Sequence, residues 1–188
     1  MTVHPIFTPK DVVYDAGLLG TWKTKGKDRG DHSTVITNLS TDNSIELPGQ
    51  LSALKHKGYL IARYDVDNNL LGEHIGFLAR IGGRLYFDYY PVDRQAAKKL
   101  DDFFLAHFVK LHTSYRVEIF KDGHFELSQL DASYVSNLIE QKKIRIKHER
   151  KGDKDIVITA STEELQQYLI KYSDEPSAYM EDKLVFNK

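Results

Sequence analysis

Cysteine is absent from this chain of 188 residues, which excludes disulfides, thiolate nucleophiles and cysteine-based zinc sites together. An excess of charge of one sign is lacking as well. Lys and Arg number 26 against 27 Asp and Glu, so no global field recruits nucleic acid or an anionic membrane. The first ten residues, Met1 to Lys10, hold two prolines and no apolar core, which fits neither a signal peptide nor a membrane span. The expected location is therefore the cytoplasm, or the cell envelope if Met1 replaces a removed leader. No Gly-x-Ser-x-Gly, P-loop or dinucleotide fingerprint occurs, and no cofactor is expected. The eight histidines show neither His-x-His nor His-Glu-x-x-His spacing. On a continuous strand His107 and His112 would fall on opposite faces, so no metal centre is expected.

What is present suits an ordinary globular protein: 41% hydrophobic and 28% charged residues, with 11 Tyr and 9 Phe. This length is most simply one domain, residues 1–188, in which 1–17 form an N-terminal arm; such a chain buries roughly 70% of its unfolded surface. Turn signals recur every eight to fifteen residues or so, the rhythm of an all-β protein. Strands are expected at Leu19 to Lys25, Ser33 to Leu39, Ser44 to Leu47, Gly58 to Val66, Leu71 to Ile81 and Arg84 to Tyr90. Gly82-Gly83 between the last two is a strong two-residue hairpin signal. Arg94 to Phe104 reads as helical, Leu105 to Phe120 as a long strand or bulged pair, and His124 to Leu130 as its hairpin partner.

The last third changes character. Asp131-Ala132-Ser133 opens an amphipathic helix with Tyr134, Val135, Leu138 and Ile139 on one face. Strands are expected at Ile144 to His148 and Asp155 to Ala160. Ser161-Thr162-Glu163-Glu164 is a capping box that starts a second helix with Leu165, Tyr168, Leu169 and Tyr172 as its apolar stripe. Lys183 to Phe186 supplies a closing strand. Lys143, Arg145 and Lys147 alternate with Ile144 and Ile146; they read as the solvated face of an edge strand, where lysines block sheet-to-sheet association. No linker, repeat or low-complexity tract is visible.

The fold class is thus mainly β with a few helices: an antiparallel, meandering barrel or strongly curled sheet with two late amphipathic helices. The only tryptophan lies in Gly20-Thr21-Trp22, on the first strand after a short N-terminal arm. This motif resembles the pattern of lipocalins and the wider calycins, whose barrels bind small, mostly apolar ligands in an interior cup. The resemblance makes Trp22 a plug at one end of the barrel, with Gly20 admitting another part of the chain. It also implies an Arg near the end of the chain stacked on the Trp, and this chain ends Leu184-Val185-Phe186-Asn187-Lys188 without one. Asp15 ahead of Gly20-Thr21-Trp22, with Ile158-Thr159-Ala160-Ser161 running into a helix, is similar to uncharacterised bacterial proteins often made as lipoproteins.

Alternation assigns the faces. His107, Thr113 and Tyr115 share one face with Val117 and Ile119; Ile75, Phe77, Ala79 and Ile81 share another; Leu85, Phe87 and Tyr89 a third. Tyr64, Phe77, Tyr89, His107, Thr113 and Tyr115 are accordingly the candidate ligand-binding residues, a few polar groups among aromatics. A filled interior is the competing reading, since eight strands is the size at which side chains either fill a barrel or leave room for one ligand. Three functions follow in order. The first is a non-catalytic barrel that binds a small apolar or amphipathic molecule. The second is an interaction or scaffold protein working through an exposed stripe of Tyr134, Leu138, Tyr168 or Leu169. The third is a hydrolase-like enzyme using an interior His, Tyr and carboxylate set, with Asp88 between Tyr86 and Tyr90, or Glu73, as the acid or base. No catalytic residue is assigned, and oligomeric state is not legible.

Overall fold

Short turns between alternating strands make neighbours in sequence neighbours in a sheet, and most of this chain follows that rule. The computed structural model describes residues 1–25, 32–47, 49–92, 109–151 and 155–188. In chain order the strands are β1 (Val12–Val13), β2 (Gly20–Lys25), β3 (His32–Asn38), β4 (Gly58–Tyr64), β5 (Leu70–Ile81), β6 (Arg84–Pro91), β7 (Thr113–Ile119), β8 (Phe125–Leu130), β9 (His148–Lys151), β10 (Asp155–Ile158) and β11 (Tyr179–Asn187). The helices are α1 (Ala132–Glu140) and α2 (Thr162–Tyr172).

Eight strands close into an antiparallel barrel. β2 to β8 run as a meander, β11 pairs with β8 on one side and β2 on the other, and β5 pairs with both β4 and β6. β1 adds to the outer end of β5, with Val12 opposite Ala79. The β5–β6 turn is the expected hairpin: Gly82 and Gly83 have φ of 56° and 81°, the left-handed pair that a type I′ turn needs.

β5 and β6 separate two cores. Trp22, Ile36, Tyr59, Ile61, Leu78, Phe87, Val117, Phe125, Leu127 and Phe186 form the barrel interior. Ile75, Phe77, Ala79, Ile81 and Tyr86 face outward and are covered by Ile6 and Phe7 of the arm, by Val135 and Leu138 of α1, and by Leu165 and Leu169 of α2. The face shared by Ile75, Phe77, Ala79 and Ile81 is therefore real, but it belongs to this second core.

The helix starts were legible. The Asp131 side chain accepts from the Ser133 N–H, and Ser161 and Glu164 cap each other's backbone as expected. Elsewhere the boundaries differ. Ser44 to Leu47 is turn and irregular chain, with Ile45 buried, because the backbone enters a long 3-10 stretch, Gly49–Lys57, that the sequence reading did not foresee. Residues 144–147 are irregular, and β9 begins only at His148. Ile144 and Ile146 still turn toward the outer core while Lys143, Arg145 and Lys147 are exposed, so the alternation was right and the element was not. Of the expected strand Leu105 to Phe120, the described part, from 109 on, is strand over Thr113–Ile119. The expected helix Arg94 to Phe104, and His107, lie outside the described residues.

The N-terminal arm is woven into the fold. Thr2 bridges both His112 and Ile158, Ile6, Phe7 and Val12 are buried, and Asp11 accepts from the Thr8 N–H and hydroxyl.

Candidate functional site

The barrel is stoppered at one end. Trp22 is wholly buried; its indole N–H donates to the Leu18 carbonyl at 2.9 Å and its ring meets Phe125 edge-on, centroids 4.8 Å apart. Phe125 in turn stacks on Phe186 at 4.3 Å. Beside them the Tyr59 hydroxyl accepts from the Asp15 N–H and donates to the Asp15 carbonyl, tying the turn before β2 to the barrel floor. Burial pushes the Tyr59 hydroxyl up to about 12, partly offset by the hydrogen bond to Asp15. Trp22 thus acts as the plug that the Gly20-Thr21-Trp22 motif implies. Gly20 serves differently from expectation: a Cβ there would find only the Lys188 side chain, 3.9 Å away, and φ is +130°. The glycine is required by backbone conformation rather than by a close approach.

Above this aromatic floor the interior is hollow. A cavity of about 90 Å³ is bounded by Thr24 on β2, His32 and Thr34 on β3, Ile61 and Arg63 on β4, and His74 on β5. Tyr89 on β6, Thr113 and Tyr115 on β7, and Leu184 and Phe186 on β11 complete its wall. Thr24 and His32 also border an open cleft with Lys23, Asp65 and Asn68, which places the cavity at the mouth end of the barrel.

Three of the six candidates from sequence, Tyr89, Thr113 and Tyr115, come together here. Two do not. Tyr64 lies on the face of β4 opposite to Ile61 and Arg63, and Phe77 faces the outer core, its ring 5.2 Å from Phe7. His107 lies outside the described residues. The residues that sequence reasoning missed are the polar ones from the other side of the barrel, above all His32, Arg63 and His74. Tyr59, Ile61 and Arg63 alternate on β4 with Leu60, Ala62 and Tyr64, and the choice of Tyr64 as a candidate takes the opposite face of that strand.

The polar lining has a definite arrangement. One Arg63 guanidinium nitrogen is 3.0 Å from His32 Nε2. Arginine only donates, so Nε2 accepts and the His32 proton sits on Nδ1. His74 is edge-on to Tyr89, centroids 5.9 Å apart, and its Nδ1 is buried without a hydrogen-bond partner among the described residues. Burial, aided by the Arg63 charge, holds the His74 imidazole below its ordinary value. Burial and the neighbouring Tyr115 push the Tyr89 hydroxyl far above the usual tyrosine range, against a smaller opposing pull from Arg63. Thr24 and Thr34 hydroxyls pair at 2.9 Å. Among the described residues no carboxylate lines the cavity, so those residues do not assemble the interior His, Tyr and carboxylate set of the third function there.

Asp88 occupies the other side of its strand. It is almost fully buried, and its Oδ1 lies 2.5 Å from His112 Nδ1. Its Oδ2 accepts from the Ile6 N–H at 3.0 Å and from the Ser114 hydroxyl at 3.4 Å. A nucleophile relay needs serine and carboxylate on opposite nitrogens of the imidazole. Here both Ser114 and His112 converge on the carboxylate, which makes the cluster a clamp for the arm.

The apolar stripes of the late helices are also engaged. Leu138, Tyr168 and Leu169 are buried in the outer core, so they present no free docking face. Among the described residues no group of His, Asp or Glu has the arrangement to hold a metal ion, and no helix is long and apolar enough to cross a membrane. No protein-family model matches this chain, and neither a curated protein nor a solved structure matches it.

Proposed function

We propose that this protein is a non-catalytic, lipocalin-like binding barrel that holds one small molecule in the mouth half of its interior. The supporting observation is the hollow above the Trp22 floor, about 90 Å³, lined by a few polar groups among aromatic and aliphatic walls. That mixture of apolar surface with a few orienting polar groups is the usual make-up of a ligand pocket. The size is smaller than the roughly 300 Å³ at which drug-sized pockets begin. The ligand is therefore small, and Arg63, His32 and His74 give it more polar company than the apolar or amphipathic molecule expected from sequence.

A thermal-shift screen with small polar and apolar compounds tests the reading, repeated on Thr113→Phe, which fills the cavity. Compounds that raise the melting temperature of the native protein should lose that effect in the variant. Shifts that persist in Thr113→Phe place binding elsewhere and overturn the proposal, as does a screen without a hit.

A further inference from the structure

We infer that the ligand of this cup is a small anion, a short-chain carboxylate whose charged end seats on Arg63. The inference rests on the binding-barrel reading and adds the chemical class of its ligand.

Arg63 brings a permanent positive charge to the cavity wall. Its one hydrogen-bond partner among the described residues is the neutral-tautomer nitrogen of His32, 3.0 Å away, and no ion pair among those residues includes it. The acid next to His74 in the chain, Glu73, lies on the other face of β5 by alternation. Arg63 is half-buried; a cation drawn partly out of water is stabilised by a paired anion, and among the described residues no carboxylate lines the cavity. Nearby groups add polar atoms: Tyr89, Tyr115 and Thr113 line the same space, and among the described residues nothing is bonded to the buried His74 Nδ1.

The shape selects among anions. A guanidinium fork matches a planar carboxylate in a two-point contact. Ile61, Leu184 and Phe186 form the apolar part of the lining, and the Thr24 and Thr34 hydroxyls are paired with each other, which favours an anion with a short hydrocarbon part over an all-oxygen phosphate. A cavity of about 90 Å³ is smaller than the roughly 150 Å³ hollow that accepts benzene, which limits the hydrocarbon part to a few carbons.

The same geometry makes binding depend on pH. His74 faces Arg63 from β4, Tyr89 from β6 and, across the cavity, His32 from β3 and Tyr115 from β7. Arg63 works against its protonation. A bound carboxylate neutralises Arg63 and attracts a proton to His74, so binding takes up a proton and strengthens as pH falls.

The test titrates butyrate, its uncharged isostere butyramide, and inorganic phosphate into the native protein, Arg63→Met and Arg63→Lys, followed by calorimetry at about pH 8 and about pH 6. Butyrate should bind at least about tenfold more tightly than butyramide, more tightly at the lower pH, and more tightly than phosphate. Arg63→Met should erase the preference for the charged compound, and Arg63→Lys should keep part of it. Equal binding of butyrate and butyramide overturns the anion assignment while leaving the binding barrel in place. Tighter phosphate binding overturns the carboxylate. No binding by any of the three overturns the inference, and the cavity-filling screen then decides the barrel reading separately. If Arg63→Met does not fold, the Arg63→Lys comparison and the pH dependence in the native protein still decide it.

Discussion

The Lys188 ammonium lies 4.8 Å from the centre of the Trp22 ring, covering the face of an indole that is wholly buried. The lipocalin resemblance implies an arginine in such a role. Here Lys188 supplies the cation, and the alternation that turns Leu184 and Phe186 inward carries it to the same face. Removing it in Lys188→Ala should cost about 0.5–1 kcal/mol in urea unfolding and move Trp22 emission to longer wavelength as water reaches the ring. Lys188→Arg should restore both.

Two glycines should respond differently to alanine. At Gly20 the space is open and the φ of +130° is the obstacle, so Gly20→Ala should cost of order 1–3 kcal/mol as backbone strain. At Gly76 the added Cβ would stand 2.0 Å from Phe87 Cε1 and 2.7 Å from Ile61 Cδ1. Gly76→Ala should therefore cost about 3 kcal/mol or more by overpacking, and the disturbed Phe87 and Ile61 should report it in side-chain NMR signals.

Asp88 is the anchor of the arm. Replacing it with alanine strands the Ile6 N–H and the His112 imidazole in a buried place; the expected loss is about 1–3 kcal/mol for each stranded group. Limited proteolysis should then cut within the first ten residues or so well before the barrel yields. If the arm remains protected in Asp88→Ala, the clamp role is wrong.

Acid should weaken the fold through His74. Its pKa is lowered in the folded protein by burial and by Arg63, so the unfolded chain binds the proton more readily. The contribution of the neutral imidazole is present above the ordinary value near 6.5 and is lost as pH falls through the lower folded value. His74→Gln should flatten the dependence of unfolding free energy on pH in that window. An unchanged slope would assign the acid sensitivity to other groups.

The barrel was legible because its signals are local. Gly82-Gly83, the alternation on β4 to β8, and the Ser161 to Glu164 capping box each depend on residues a few positions apart, and each stands in the structure. The cup was only half legible for the complementary reason. Thr113 and Tyr115 come from one alternating face and Tyr89 from another, and the pairing of β6 with β7 brings the two together. Arg63 and His74 join them from across the barrel, and a strand pattern alone reads a charged side chain as facing water. Phe77 was misplaced because β5 is covered on both sides. Its wholly apolar face, Ile75, Phe77, Ala79 and Ile81, packs on the outer core while His74 and Leu78 face the interior. Periodicity cannot say which of two covered sides is the interior.

That doubly covered strand has a mechanical consequence. Residues Ile75 to Ala79 are buried without interruption, clad by the barrel core on one side and by the arm and helices on the other. On β2 and β3 the outward residues Thr21, Lys23 and Thr37 are exposed to solvent. One wall of the cup is therefore stiff and the opposite one compliant. Amide hydrogens of β5 should exchange last and those of β2 and β3 first, so the wall that carries Thr24 and His32 is the one expected to yield first.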